Sequence, residues 1–192
     1  MSQREMHHLV SLMMPIVERH ARSRMAHLLN MPLYLMLQDG AACSRLDLMR
    51  RRTLYVGLSD GARIDVFRRY NEGQVSNEQV VAFSEISEDK WEDLQSELRK
   101  NLMEVGPRRE TAQFEVVCLV DDFTGSGSSL IRWEKGQWKG KIAKFYKANK
   151  HRLGAELATD CLLHIHHYLA SQQAKSQIER DLQAFGLSWI YV

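Results

Sequence analysis

The run of residues 116–129, VVCLVDDFTGSGSS, constrains the fold more than any other part of the sequence. Five apolar residues are followed at once by two aspartates and then by a stretch rich in Gly, Ser and Thr. A short apolar run bounded by turn residues is typical of a strand buried on both faces of a parallel sheet. Ligands of such open sheets bind beyond the carboxyl ends of the strands. We therefore predict a buried strand over 113–120 that ends in a ligand-binding loop.

The rest of the chain alternates between strand and helix patterns, which predicts an α/β fold with a parallel sheet and flanking helices. Residues 64–69 fit either a short helix or a short strand, and 128–133, SSLIRW, is predicted to begin a helix. The predicted helices are 44–51 with Ser44 as N-cap, 87–102 with Ser87 as N-cap, and 171–185 with Ser171 as N-cap, and the predicted strands are 53–58, 140–146, 161–169 and 187–192.

Two regions are predicted, a helical N-terminal segment over 1–50 and an α/β domain over 51–192. Pro15 interrupts the first helical pattern and is expected to kink that helix or begin a new one. The methionine-rich part between Met6 and Met36 is a candidate surface for a protein partner. The predicted last strand reaches the final residue without a tail, so we interpret the chain as a fragment or a minimal version of a longer protein.

Composition excludes several classes of protein. With 44% hydrophobic and 26% charged residues, the 192-residue chain can bury a core, which argues against overall disorder. The formal net charge of +2 is too balanced for a general nucleic-acid binder, so nucleic acid is a less favoured partner that would need a local basic patch. Three widely spaced cysteines indicate neither disulfides nor a zinc finger. No apolar stretch is long enough to cross a membrane, and we expect a cytoplasmic protein.

The residues after the apolar run suit an anionic sugar ligand. Gly125 and Gly127 allow the backbone to approach a ligand, and the N–H groups of Ser126 to Ser129, at the start of the predicted helix, would hold a phosphate. Carboxylates at Asp121 and Asp122 can accept from ribose hydroxyls or position a divalent metal. An ordinary acidic turn is the alternative. A nucleoside triphosphate loop is a weaker one, because the Gly-Lys-Ser/Thr ending is missing.

Over about a dozen positions this run resembles the phosphoribosyl-pyrophosphate loop of type I phosphoribosyltransferases. The resemblance implies a Rossmann-type fold in which Asp121 and Asp122 bind the ribose hydroxyls. It also implies that the 5-phosphate is held by Thr124, Gly125, Ser126, Gly127, Ser128 and Ser129. Where the family most often has Thr-Thr-Gly-Gly-Thr, this chain has Gly-Ser-Gly-Ser-Ser, which keeps hydroxyls and flexibility but shifts one glycine.

A second segment repeats the pattern of an apolar strand followed by a polar loop. In 53–63, TLYVGLSDGAR, an apolar strand leads into a turn and then a cation, and the same resemblance implies a pyrophosphate loop made of Ser59, Asp60, Gly61, Ala62 and Arg63. The catalytic residues would be Asp121, Asp122 and Arg63. Mg²⁺ would enter with phosphoribosyl pyrophosphate, held by the ligand and by Asp121 and Asp122 rather than by a separate set of side chains. A plain turn with a surface arginine is the alternative.

A wider pattern, GLSDGARIDVFRR, VDDFTGSGSS, WKGKIAKF and HIHHYLAS, is similar to phosphoribosyltransferase-like proteins of bacterial conflict and stress-response operons. This similarity covers most of residues 50–190 and implies an effector or accessory role in defence rather than nucleotide salvage. Two functions follow as hypotheses. One is a Mg²⁺-dependent phosphoribosyltransferase, and the other is a non-catalytic subunit that senses a nucleotide or acts as a scaffold.

Other residues of chemical interest have structural interpretations. Strand alternation would place His164 and His166 on one face, where a buried structural role is favoured over a metal site. Lysines and tryptophans over 133–147 could contact a nucleotide or an RNA strand, but solvated lysines beside a strand are the commoner case. Trp91 and Cys118 are expected in the core.

Overall fold

The computed structural model describes residues 2–105, 111–186 and 189–191. Within them a five-stranded sheet has the order β2-β1-β3-β6-β7, and every neighbouring pair is parallel. Chain order reverses between β1 and β3, so the crevice at their carboxyl ends is where a ligand site is expected. The strands are β1 (Thr53–Gly57), β2 (Val80–Ala82), β3 (Phe114–Thr124), β6 (Leu157–Ala170) and β7 (Trp189–Tyr191).

Helices cover both faces of the sheet, as predicted for an α/β fold. On one face α1 (Gln3–Leu28), α2 (Gly40–Arg51) and α3 (Ile64–Tyr70) pack on side chains such as Tyr55 and Cys118. The other face is covered by α4 (Glu88–Val105), α5 (Lys141–Asn149) and α6 (Gln172–Phe185). None of the helices in the described parts of the chain is both long and apolar enough to cross a lipid bilayer.

Successive strand residues alternate between two apolar layers, as expected for a sheet buried on both faces. Leu119 and Ile165 belong to the layer beneath α4 to α6, whereas Cys118 and Val120 face α1 and α3. Trp91 is 1% exposed and donates from Nε1 to Asn149 Oδ1 at 3.0 Å, so its predicted place in the core is confirmed. Burial raises the pKa of the Cys118 thiol, which keeps it protonated as a small apolar side chain.

In the N-terminal region Pro15 does not begin a new helix, and the second helix starts before its predicted cap. α1 continues through Pro15 as one helix, because the buried side chains on either side, Met13, Met14 and Val17, pack on the sheet. α2 begins at Gly40, and its N-cap is Asp39, which accepts from Ala42 N at 2.7 Å. The predicted cap at Ser44 is therefore wrong.

The largest error lies between residues 128 and 150, where the predicted helix and strand are both wrong. Residues 128–130 form a turn, and β4 (Arg132–Glu134) and β5 (Gln137–Lys139) follow as an antiparallel hairpin. The predicted strand over 140–146 is instead the start of α5, which buries Ile142 and Phe145 on one face. Gly140 permits this change of direction, because a Cβ there would lie 2.4 Å from the carbonyl oxygen of Leu130.

The other predicted helices and strands are present in the described residues with changed boundaries. Helices α4 and α6 begin at the predicted caps, since Ser87 accepts from Lys90 N at 3.2 Å and Ser171 from Ala174 N at 3.0 Å. Residues 64–69 are helical, and β2 is a strand that the sequence pattern did not predict. Of the predicted strand 187–192, residues 189–191 form β7 and the others lie outside the described residues.

Candidate functional site

The two predicted loops lie side by side at the carboxyl edge of the sheet. β1 and β3 are paired up to Gly57 and Val120, and Leu58 N donates to Val120 O at 2.8 Å. Beyond this level the chain after β1 runs into the loop that begins at Ser59, while β3 continues into Asp121 beside it. The edge between β1 and β3 brings together the residues that the sequence had assigned to separate parts of one ligand.

The sequence predicted that β3 ends at Val120, before the two aspartates, and this end is wrong. β3 continues through Thr124 because it stays paired with β6 as far as Ala170. Side chains of consecutive strand residues point to opposite faces. Asp121 and Asp122 therefore have different surroundings, and the binding of the ribose hydroxyls by both carboxylates stays a prediction.

Asp121 is buried and its carboxylate is bound by the protein itself. Ser59 Oγ donates to Oδ1, and Lys141 Nζ, at the start of α5, donates to Oδ2. The side chain of Asp121 is 3% exposed, whereas that of Lys141 is 32% exposed. One carboxylate thus ties β3 to the loop after β1 and to α5.

His167 of β6 completes the surroundings of Asp121, with Nε2 3.9 Å from Oδ2. Burial lowers the pKa of His167, although the charge of Asp121 acts in the opposite direction. The imidazole is therefore neutral at pH 7, and Lys141 is the cation that balances Asp121.

Asp122 lies on the opposite face, against the loop after β1. A Cβ on Gly61 would come within 2.0 Å of Asp122 Oδ2, so the glycine is what lets the two loops touch. Asp122 is half-buried, and its carboxylate makes no hydrogen bond or ion pair within the described residues. Of the two aspartates of β3, Asp122 is therefore the one whose carboxylate remains available to a ligand.

The loop over 59–63 contains a single 3₁₀ turn, which a tyrosine of β6 holds by a hydrogen bond. Asp60, Gly61 and Ala62 form the turn, and Tyr168 Oη donates to Ala62 O at 2.8 Å. Arg63 follows in the left-handed conformation, with φ 47° and ψ 40°, which costs a non-glycine residue about 1–2 kcal/mol. Its side chain is exposed at the start of α3. The backbone therefore presents Arg63 at the rim of the site.

The loop over 124–129 is closed by its own side chains. Buried Thr124 accepts from Gly127 N at 3.0 Å, and the hydroxyl oxygens of Ser126 and Ser128 are 2.8 Å apart. Gly125, Ser126, Ser128 and Ser129 are exposed. Since a hairpin follows instead of a helix, the expected helix N-terminus is wrong. Phosphate binding here would rest on backbone N–H groups, hydroxyls and the nearby guanidinium of Arg132, which donates to Ser128 O at 2.9 Å, rather than on a helix N-terminus.

α6 fixes the position of this loop. Ser171, the N-cap of α6, donates from Oγ to Gly125 O at 2.6 Å, and its N–H donates to Thr124 O at 3.1 Å. Gly127 adopts φ 78°, and a Cβ there would lie 2.8 Å from Ile178 Cγ1 of α6. The loop is therefore packed on a helix although it does not start one.

Several residues of the site were not predicted from the sequence. Lys141 and His167 act on Asp121, Tyr168 holds the 59–63 loop, and Phe123 is 60% exposed with its ring next to Gly125. An aromatic residue directly after the two aspartates was a visible signal for Phe123, because a base can stack on such a ring. Lys141 had no local signal, since its role requires α5 to start beneath β3.

No family model, curated protein or solved structure matches this chain. Its interpretation therefore rests on the residues and contacts described above.

The entry of Mg²⁺ together with a phosphorylated ligand stays a prediction, which the side chains at this edge can be compared with. Among the described residues no group of three or more His, Cys, Asp or Glu side chains is arranged to hold a metal. Mg²⁺ commonly uses only one or two carboxylates together with substrate phosphates and water. Asp122 is a suitable protein ligand of this kind, whereas Asp121 is engaged by Ser59 and Lys141.

Proposed function

We propose that the carboxyl edge of β1 and β3 binds a phosphoribosyl compound, either phosphoribosyl pyrophosphate or a nucleotide. The contact between Gly61 and Asp122 carries this proposal, because it joins two loops that were assigned to the two ends of the same donor. Asp122 accepts from the ribose hydroxyls, the loop 124–129 holds the 5-phosphate, and Arg63 faces the pyrophosphate. The fold supports the placement of the site but not the identity of the ligand.

In this proposal the two aspartates have different roles. Asp122 contacts the ligand, while Asp121 keeps Ser59 and Lys141 in position. The exposed ring of Phe123 lies next to Gly125, on the Asp121 side of β3, and offers a stacking surface for a base bound beside the loop 124–129. Of the two carboxylates, only that of Asp122 contacts the sugar in this proposal.

A phosphoribosyl transfer would break the bond between C1′ and the pyrophosphate oxygen and form a bond from C1′ to the acceptor. Positive charge develops on the ribose ring and negative charge on the leaving pyrophosphate, so catalysis consists largely of positioning and charge stabilisation. Arg63 would stabilise the departing pyrophosphate, and Asp122 would hold the ribose. Mg²⁺, when bound with the donor, would neutralise part of the diphosphate charge.

Calorimetric titration of phosphoribosyl pyrophosphate with Mg²⁺ tests this proposal. Asp122→Asn should weaken binding at least tenfold with little change in stability, because the carboxylate has no partner in the described structure. The matched control is Asp160→Asn, an aspartate 87% exposed on β6 whose nearest cation is 3.9 Å away. Equal affinity of all three proteins, or no binding at all, would reject the phosphoribosyl site.

A non-catalytic nucleotide sensor or scaffold subunit is the second candidate, and one observation favours it. Asp121 is already neutralised by Lys141, so the edge offers a ligand only one uncommitted carboxylate of the pair. Arg63→Ala separates the two functions. It should abolish pyrophosphate release by a transferase, but should leave the affinity of a sensor for a nucleoside monophosphate almost unchanged. The resemblance to proteins of bacterial conflict operons, drawn from the sequence alone, would imply a defence or stress role in either case.

A further inference from the structure

A basic groove runs between the β4–β5 hairpin and α5, next to the loop 124–129. Its volume is about 500 Å³, and five of its ten lining residues are cationic: Arg132, Lys139, Lys141, Lys144 and Lys147. None of the lining residues in the described structure is acidic. The groove is the local basic patch that the overall composition did not reveal.

Much of this charge remains after internal pairing. Glu134 is shared by Arg132 and Lys139, at 2.9 and 3.3 Å, and Asp121 pairs with Lys141. Five cations with two carboxylates leave a net charge of +3 in the groove, which exceeds the formal charge of +2 of the whole chain. Lys144 and Lys147 are exposed and form no ion pair within the described residues. An anionic partner is therefore favoured here.

The shape of the charged surface favours an extended strand over a single phosphate. At a rise of about 1.5 Å per residue, Lys141, Lys144 and Lys147 extend over roughly 9 Å along α5, and all three line the groove. The hairpin continues the cationic row with Arg132 and Lys139. A row of this length can contact several phosphates of one chain.

Aromatic side chains accompany the lysines. Trp138 lines the groove and contacts Trp133, whose side chain is 58% exposed on the hairpin, with the two ring centroids 5.1 Å apart. Trp138 is partly buried, so Trp133, next to the groove lining, is the exposed ring of the pair. A positively charged groove with an exposed aromatic ring nearby is a combination that binds single-stranded nucleic acids, because every base can stack on such a ring.

We propose that this groove binds single-stranded nucleic acid. The phosphates lie along α5, where Lys144 and Lys147 contact them, and a base stacks on Trp133. Because Ser129 and Lys141 belong both to the groove and to the candidate phosphoribosyl site, the end of a bound strand would lie beside that site. Strand binding itself does not depend on the proposed phosphoribosyl function.

Fluorescence anisotropy with labelled 12-nucleotide RNA and DNA single strands tests the proposal, with the matching duplex as a third probe. We expect binding that weakens with salt, with a logarithmic slope of about −2 for three phosphate contacts. Lys144→Glu with Lys147→Glu should weaken binding at least tenfold, and Trp133→Ala about fivefold or more. Circular dichroism would establish that each variant is folded.

The control variant carries Arg4→Glu with Arg69→Glu, the same change in net charge at exposed positions of α1 and α3 on the other face of the sheet. It should bind the single strand as the unmodified protein does. Absence of binding at low salt, an equal loss in the control, or preference for the duplex would overturn the proposal. Because the oligonucleotide carries no pyrophosphate donor, this result is separate from the calorimetric test of Asp122.

Discussion

The Cα of Gly61 lies against the carboxylate of Asp122, so closely that a Cβ would be 2.0 Å from Oδ2 and 2.5 Å from Cγ. The contact joins residues that are 61 positions apart in the sequence. It leaves room for a backbone and a carboxylate, but not for a larger side chain between them.

Gly61→Ala should therefore weaken ligand binding without unfolding the protein. The added methyl group displaces the end of the Asp122 side chain, which can rotate at low cost because it has no partner in the described structure. We expect a change of less than about 1 kcal/mol in the free energy of unfolding and at least a tenfold loss of affinity for phosphoribosyl pyrophosphate with Mg²⁺. Urea denaturation and calorimetry would measure the two effects. Unchanged affinity would contradict the role given to this contact.

Gly127→Ala should destabilise the fold itself. The residue has φ 78°, and its new Cβ would lie 2.8 Å from Ile178 Cγ1 and 3.1 Å from Ala174 O. Strain and overpacking together should cost about 2–4 kcal/mol in urea denaturation. Gly73→Ala is the matched control, because Gly73 has φ 83° and open space around it. A similar loss at both positions would show that packing on α6 contributes nothing.

Lys141→Met should leave the buried carboxylate of Asp121 without its cation. Because Lys141 is 32% exposed and water can partly replace it, we expect a loss of about 1–3 kcal/mol, less than for a fully buried pair. Adding Asp121→Asn should recover part of this loss in a double-mutant cycle. Lys144→Met, on the same helix but exposed, should change stability by less than about 0.5 kcal/mol. Strict additivity in the cycle would contradict the pairing.

The free energy of unfolding should decrease as the pH is lowered below about 6.5, because histidines are buried between α1 and β6. Burial lowers the pKa of His164 to about 3 and that of His166 to about 4, and His20 packs on His164 with ring centroids 5.2 Å apart. Between these values and the ordinary pKa of 6.5, the unfolded chain binds more protons than the folded one.

Each histidine should then contribute a loss of up to about 1.4 kcal/mol per pH unit as the pH falls through this window. Urea denaturation between pH 7.5 and 5 would measure the slope, and His164→Gln should reduce it. An unchanged slope in that variant would assign the pH dependence to other groups.

Local signals in the sequence predicted the elements that short-range physics determines. The apolar runs of β1 and β3 and the caps Ser87 and Ser171 were identified because each depends on a few neighbouring residues. The position of the two loops followed from parallel pairing. Their contact through Gly61 did not, because it depends on the packing of residues far apart in the chain.

The turn of the β4–β5 hairpin had a local sequence signal, the dipeptide Lys135-Gly136, that the prediction did not use. Lys135 and Gly136 both have positive φ, 52° and 77°, as a two-residue turn between twisted strands requires. Trp133 and Trp138 face each other across this turn. The segment that contains Lys135 and Gly136 was predicted as an irregular connection, so β4 and β5 were not predicted. The strand was placed instead over 140–146, where α5 begins. The ion pair between Asp121 and Lys141 could therefore not be predicted from the sequence.

The hydroxyl of Ser171 acts in two places at once, since it caps α6 through Ala174 N and holds the carbonyl of Gly125. A ligand that pulls this carbonyl away would also remove a constraint on the first turn of α6. At its other end α6 carries Phe185, whose ring packs on Trp138, with ring centroids 5.4 Å apart. One helix thus contacts both the loop of the candidate site and a tryptophan that lines the basic groove.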